Sequence, residues 1–256
     1  MAAHLNPIAQ RFSKASKVYD AHASVQQQVA QVFSAWIADG WHSEANPKAL
    51  LGVGCGTGVF TRCLQAVFPG TRLMACDWAP EMLEVAKQRS SNIAFFQGDA
   101  THFVAPENPD LIASSFCMQW LDDIPAALTH HLRHCKRLAV ALPCNGSFEA
   151  WNKAHQALGC ASGLHPLPNA GELCLTLQTW QEKGLIQQWR CETRQFTQLH
   201  ADGLAFARSL KAIGAGTPKP GHQPVNLRQL MTLLPKPLNT NYEVLFLELD
   251  APSTAN

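Results

Sequence analysis

The sequence is short of charge. Only 15% of its residues are Asp, Glu, Lys or Arg, against about 25% in an average soluble protein. Basic residues number 20 and acidic ones 19, a net of +1. That balance argues against a nucleic-acid binder and against an acidic solvating tail. No apolar run approaches the ~18 residues of a membrane span. The opening MAAHLNPIAQRFSKASK contains no apolar stretch of a secretory signal. The nine cysteines are odd in number, singly scattered, and never spaced C-x-x-C. They read as reduced thiols, and the expected location is cytoplasmic, away from any membrane. No H-E-x-x-H, G-K-S/T or G-x-G-x-x-G pattern occurs, which argues against a zinc hydrolase, a P-loop and a dinucleotide fingerprint.

What remains is rich in core material. In 256 residues, 46% are hydrophobic, which argues against disorder and fits one to two domains. Ala9 to Ala38 has no Pro or Gly, and Val25, Val29, Val32, Phe33, Trp36 and Ile37 recur at helical spacing. Gly40 ends that helical stretch. Short apolar runs follow at 48–51, 72–76, 92–96, 109–114 and 137–142, separated by helices at 60–68 and 80–89. This alternation predicts βαβ crossovers and a mostly parallel, doubly wound α/β sheet. After Pro143 the rhythm changes. Helices are expected at 147–158, 172–183 and 202–213, strands at 188–199 and 242–249, and loops at 166–171 and 217–224. One domain, 1–256, is expected. It comprises a helical lid (1–40), a βα core (45–145), a helical insertion bearing the substrate region (146–236) and a last strand (240–250).

The first strand runs into Gly52-Val-Gly54-Cys-Gly56-Thr-Gly58, which opens a helix. Glycines allow positive φ and close approach of backbone to a ligand, and a helix N-terminus offers free N–H donors. Such a turn alone is weak evidence. Asp77 strengthens it, because it closes the second strand 19 residues past Gly58, where a carboxylate accepts both hydroxyls of a ribose. Asp99 follows the third strand, placed to accept from an adenine amino group. Either acid alone is as well explained as a cap or turn residue. The three in register point to a nucleoside ligand.

This loop, with acids after strands two and three, resembles the S-adenosylmethionine (SAM) methyltransferases of the Rossmann-like, seven-stranded class I fold. Further segments narrow the likeness. Arg11-Phe-Ser-Lys-Ala-Ser-Lys-Val-Tyr19-Asp, Gly54-Cys-Gly-Thr-Gly58, Asp77-x-x-Pro-Glu-Met-Leu83, Ser114-x-x-x-x-Gln119-Trp120 and Arg208-Ser-Leu-Lys-Ala-Ile-Gly-Ala215 are similar to the malonyl-acyl-carrier-protein O-methyltransferases, the BioC family of biotin synthesis. The resemblance covers about Ile8 to Leu249. It implies SAM as co-substrate, no metal, and transfer of methyl to the carboxylate of a malonyl thioester on an acidic carrier protein or coenzyme A. It assigns cofactor contacts to Gly54, Cys55, Gly56, Gly58, Asp77, Trp78, Met82, Asp99, Ala100 and Ser115. Catalytic roles fall to Tyr19 and to Arg208 as the carboxylate grip, and substrate contacts to Gln119, Trp120 and Lys211. The sequence departs from the family at Gly52, where an acidic residue is usual. Two alternatives stay open: another small-molecule methyltransferase, and a SAM-fold protein without catalysis. His130, His131 and His134 read as a solvated helix face, Cys55 as a small turn residue, and Asp122 and Asp123 as a helix start. From Lys183 to Lys236 the chain is basic, which fits an acidic partner.

Overall fold

A computed structural model describes residues 7–41, 45–216 and 225–252. Seven strands among them form one sheet in the order β3-β2-β1-β4-β5-β7-β6. The strands are β1 (Ala49–Val53), β2 (Arg72–Asp77), β3 (Ala94–Gln97), β4 (Leu111–Ser115), β5 (Arg137–Pro143), β6 (Trp189–His200) and β7 (Leu238–Asp250). The first five pair in parallel, and β7 lies antiparallel to both β5 and β6. The expected class I α/β fold is what forms.

Strand alternation sorts the core into two layers. Leu50, Ala139, Ala141, Val244 and Phe246 pack on one face of the sheet. Leu51, Val53, Leu138, Val140, Leu142, Leu245 and Leu247 pack on the other. Side chains two apart share a face, so strands buried on both sides read as continuous apolar runs. Helices α4 (Val59–Val67) and α5 (Pro80–Arg89, with Pro80 in its first turn) link β1 to β2 to β3. Helix α6 (Ile124–Leu132) lies between β4 and β5, capped by Asp123, whose carboxylate accepts from the Ala126 N–H at 2.9 Å. Helices α7 (Glu149–Ala157) and α8 (Ala170–Glu182) follow β5, and α9 (Gly203–Ala212) and α10 (Leu227–Leu233) join β6 to β7.

Three expectations need correction. The N-terminal helical stretch is three helices: α1 (Pro7–Ala15), α2 (Tyr19–His22) and α3 (Ser24–Asp39). It breaks at Ser16 and Val18, whose N–H groups turn back to Ser13 and Ala15, and this break brings Phe12 and Tyr19 to within 6.3 Å, ring to ring. Segment 146–236, described above as a helical insertion, also holds β6, the strand expected at 188–199, which pairs along its whole length with β7. Helix α10 was not anticipated, although Asn226 caps it by accepting from the Arg228 and Gln229 N–H groups. The expected loop 217–224 lies outside the described residues.

The antiparallel edge is tied to α3. The Arg190 guanidinium pairs with the buried Glu248 at 3.1 Å, donates to the Trp36 carbonyl at 2.7 Å and lies 3.7 Å over the Trp36 ring. A cation at a helix C-terminus meets the negative end of the helix dipole. Gly40 leaves room for it, since a Cβ there would come within 2.1 Å of Arg190 Nη2 and displace the guanidinium.

Candidate active site

The C-terminal ends of β1, β2, β3 and β4 open into one cleft of about 1050 Å³, counting its mouth. Helices α1 to α3 roof it with Ile8, Phe12, Tyr19, Ala23 and Gln26. The roof is latched. Asp20 Oδ1 accepts from the Thr57 hydroxyl in the glycine turn at 2.6 Å, and Asp20 Oδ2 pairs with Arg89 at the end of α5.

The floor is the glycine turn and the acid beside it. Gly54, Gly56 and Gly58 all have positive φ. A Cβ at Gly54 would strike Cys117 Sγ at 2.2 Å, whereas one at Gly56 would meet nothing within 4 Å. The first glycine therefore serves packing, and the second faces open space that a ligand can fill. Asp77 Oδ2 accepts from the Gly56 N–H and Oδ1 from the Ala79 N–H, each at 2.8 Å. Each oxygen keeps a lone pair for a ligand hydroxyl. Burial raises the Asp77 pKa above the ordinary carboxylate value, and the backbone N–H bonds oppose the rise.

Of the anticipated cofactor residues, Gly54, Cys55, Gly56, Asp77, Trp78, Met82, Asp99, Ala100 and Ser115 line this cleft together. Gly58 does not line it. It is the left-handed N-cap of α4, with a φ of 83°. Asp99 Oδ1 turns its own loop by accepting from the Thr101 N–H at 2.8 Å. The loop is braced from behind: His131 Nε2 lies 2.7 Å from the Ala100 carbonyl. His131 is fully buried, contrary to the expected solvated face, and burial lowers its pKa to about 4. No cluster that could hold a metal occurs among the described residues.

A second cleft of about 570 Å³ shares Phe12, Tyr19, Gln26, Phe116 and Trp120 with the first. Gln119, Phe148, His165, Leu210, Ile213 and Tyr242 complete its walls. Phe116 and Phe148, at φ 54° and 60°, are the described non-glycine residues in the left-handed region, and both line it. Strain of that kind persists where the surroundings over-determine the backbone, commonly at functional sites. Tyr19 stays protonated, because burial first, and the charges of Asp20 and Asp77 next, push its pKa up. Burial likewise pushes the Cys117 thiol up to about 12.

Arg208 and Lys211 are not brought to either cleft. Both are exposed. On α9 the inward residues are Phe206 and Leu210, and a residue midway between them at 208 falls on the opposite face. The residues that sequence reasoning missed are Asp20, Thr57, Phe12, Phe116 and His165. Phe12 and Asp20 lie in the N-terminal block that carries the family likeness, while His165 has no local signal beyond its place between loop residues.

Gly52 lies in the middle of β1, and a Cβ there would sit 3.1 Å from Thr61 Oγ1. That hydroxyl is buried and has no hydrogen-bond partner among the described residues. Gly52, where the sequence departs from the family it resembles, thus faces an unanswered donor.

Comparison with known proteins agrees with this geometry. A family model described as Methyltransferase domain matches residues 50–137. Two solved structures share the fold: the Bacillus subtilis YcgJ protein (16% identity, TM-score 0.56, 86% of this chain and 98% of that one) and the plantazolicin methyltransferase BpumL in complex with SAH (14%, 0.56, 95% and 94%). Fold and cleft define a class I SAM-dependent methyltransferase. Among curated relatives, the chain is 35% identical over 237 residues to the biotin biosynthesis bifunctional protein BioCD of Bordetella avium, covering 89% of this chain. It spans about half (48%) of that longer protein. It is 30% identical to the malonyl-acyl-carrier-protein O-methyltransferases of Paenibacillus sp. and Serratia marcescens, over 77% and 81% of this chain and 76% and 78% of theirs. The chain belongs to the malonyl-acyl-carrier-protein O-methyltransferase family.

Proposed function

We propose that this enzyme transfers the methyl group of SAM to the free carboxylate of a malonyl thioester, carried by an acidic carrier protein or by coenzyme A. The product is the malonyl methyl ester that primes pimeloyl synthesis for biotin, made in the cytoplasm. The observation that carries this reading is the second cleft, which opens off the first at Tyr19, Phe116 and Trp120. One cleft suits the nucleoside, and its neighbour suits an acyl chain.

SAM supplies an activated methyl on a sulfonium. Asp77 takes the ribose hydroxyls, Asp99 the adenine amino group, and Trp78, Met82 and Ala100 the adenine faces. The glycine turn at Gly54 to Gly56, with Cys55 and Ser115, borders the methionine end. The acceptor carboxylate is ionised at neutral pH, so no general base is needed. The lining fits that: the Tyr19 hydroxyl and the Cys55 and Cys117 thiols are all held protonated by burial. What the protein contributes is position and dryness. The roof of α1 to α3 acts as the lid, Tyr19 and Phe12 exclude water, and Gln119 and Trp120 border the acceptor. Residues 1–256 act as one domain, with Arg208 and Lys211 on the side that meets the carrier.

The test is methyl transfer from labelled SAM to malonyl-carrier protein. A base-labile ester is expected, and Asp77→Ala should weaken SAM binding at least tenfold. SAM binding without ester formation would overturn the assigned acceptor.

A further inference from the structure

The proposed acceptor is an anion, yet the two clefts are lined by Asp77 and Asp99 and, among the described residues, by no lysine or arginine. A carboxylate taken from water into such a place without a counter-charge is strongly disfavoured. Among the side chains that line the second cleft, His165 is the one that can become a cation by taking up a proton.

Its placement is well defined. His165 stands in the loop between α7 and α8, with its ring against Trp120 at a centroid distance of 4.6 Å. Nε2 lies 2.8 Å from the main-chain oxygen of Gln119. A carbonyl oxygen only accepts, so Nε2 carries a hydrogen, and the neutral ring leaves a lone pair on Nδ1. Nδ1 has no hydrogen-bond partner among the described residues. With a carboxylate beside it, Nδ1 takes up a proton and becomes a donor, and the ring is then an imidazolium held at both ends. A second observation marks the same wall as ligand-facing. Gln119 is only 5% exposed, its Nε2 donates to the Phe116 carbonyl at 2.9 Å, and its Oε1 has no partner among the described residues. An amide N–H beyond the thioester of a carrier arm would satisfy that acceptor.

We propose that His165, as the imidazolium, is the residue that holds the free carboxylate of the acceptor. The proposal rests on the malonyl-thioester reading given above. One carboxylate oxygen accepts from Nδ1–H, which leaves the other free as the nucleophile. Its lone pair forms the O–CH₃ bond as the S–CH₃ bond breaks, and the bonding pair stays on sulfur. Sulfonium and carboxylate charges vanish together, and no proton moves in that step. The ester no longer pairs with the imidazolium, which favours product release. The other titratable groups lining this cleft are Tyr19 on α2 and Tyr242 on β7, both kept neutral by burial. The Met118–Trp120 turn brings none, so His165 is the one lining side chain available to pair with the acceptor carboxylate.

The experiment uses the full chain with malonyl-carrier protein and labelled SAM, across pH 5.5 to 9. In the wild type, kcat/KM for the acceptor should fall as pH rises, because the neutral ring offers no N–H at Nδ1 to the carboxylate. His165→Gln should raise the acceptor KM at least tenfold and abolish that fall, with SAM affinity within twofold by calorimetry. Inhibition by the product methyl ester, which lacks the carboxylate, should be equal in both proteins. His165→Asn replaces the glutamine variant if the latter fails to bind SAM. An unchanged KM overturns the assignment, as does an equal weakening of acceptor and product ester, which would mean His165 only shapes the wall. No ester from the wild type would overturn the reaction itself.

Discussion

His131 shows how one buried side chain holds the Asp99 end of the cleft. Its ring reaches from α6 to the Ala100 carbonyl, next to Asp99. Because the carbonyl accepts, Nε2 carries the hydrogen, and Nδ1 is buried with no partner among the described residues. Burial is the main force lowering its pKa to about 4, His130 and His134 add to it, and the bond to Ala100 opposes. A histidine whose folded pKa is depressed favours the folded state fully above its unfolded value, near 6.5. That stability is lost as pH falls from about 6.5 through 4, and the loss amounts to about 3 kcal/mol. Urea midpoints measured from pH 7 to 4 should therefore fall in the wild type, and more shallowly in His131→Gln, which keeps an N–H for Ala100 and cannot ionise. Equal slopes would exclude His131 as the source. At this scale the sequence was legible where a residue's chemistry coincided with a strand end. Asp77 and Asp99 are polar residues closing apolar runs, and both reach the cleft. His131 was read as solvated because its neighbours His130 and His134 share its type, and type does not report the helix phase that turns one of the three inward. Arg208 stands exposed on α9 for a related reason: a family block fixes which residues are present, not which face they take.

At the scale of elements, the roof depends on a short piece of chain. Helix α2 has four residues, too few to hold itself, so Asp20 fixes it from outside. Its carboxylate joins the Thr57 hydroxyl and Arg89, and its carbonyl accepts from Gln27 Nε2 at 2.6 Å. Charge-assisted hydrogen bonds contribute about 1.5–3 kcal/mol each when dry. The Asp20 side chain is 24% exposed and Arg89 36%, so solvent screening leaves about 1–1.5 kcal/mol for the latch. Asp20→Asn should accordingly speed SAM dissociation about five- to tenfold in stopped-flow tryptophan fluorescence, with little change in melting temperature. An unaltered rate would mean that the roof does not gate the cleft. The sheet itself was legible, since all seven strands coincide with apolar or alternating runs and differ mainly at their ends. The N-terminal break was not, because residues 9–38 contain no Pro or Gly and the turn after Ala15 is set by where Phe12 and Tyr19 pack. β7 starts at Leu238, just before the last strand expected at 240–250, because the polar stretch Asn239–Asn241 alternates too weakly to mark a strand end until β6 pairs with it.

Over the whole molecule, a net charge of +1 conceals a division that the fold sharpens. Of the basic residues between Lys183 and Lys236, Arg190 is spent on Glu248 and α3, and Arg194 pairs with Glu192 at 2.6 Å. Lys219 lies outside the described residues. Arg208, Lys211, Arg228 and Lys236 remain exposed and in no ion pair among the described residues. Two stand on α9, which also walls the second cleft through Leu210. Such cations can steer an acidic carrier toward the cleft, and that contribution appears in the association rate and weakens with salt. It also separates two roles for Arg208. If it gripped the malonyl carboxylate, its loss would weaken every acceptor alike. If it meets the carrier, only the protein-borne acceptor suffers. The double variant Arg208→Glu/Lys211→Glu should lower kcat/KM for malonyl-carrier protein about tenfold at low salt. That deficit should shrink at 0.5 M salt, where the Debye length is only a few ångströms. A short malonyl thioester without carrier or phosphate should react within twofold of wild type. A comparable loss on the short thioester would return the carboxylate to Arg208 and require α9 to turn its exposed face inward during the reaction.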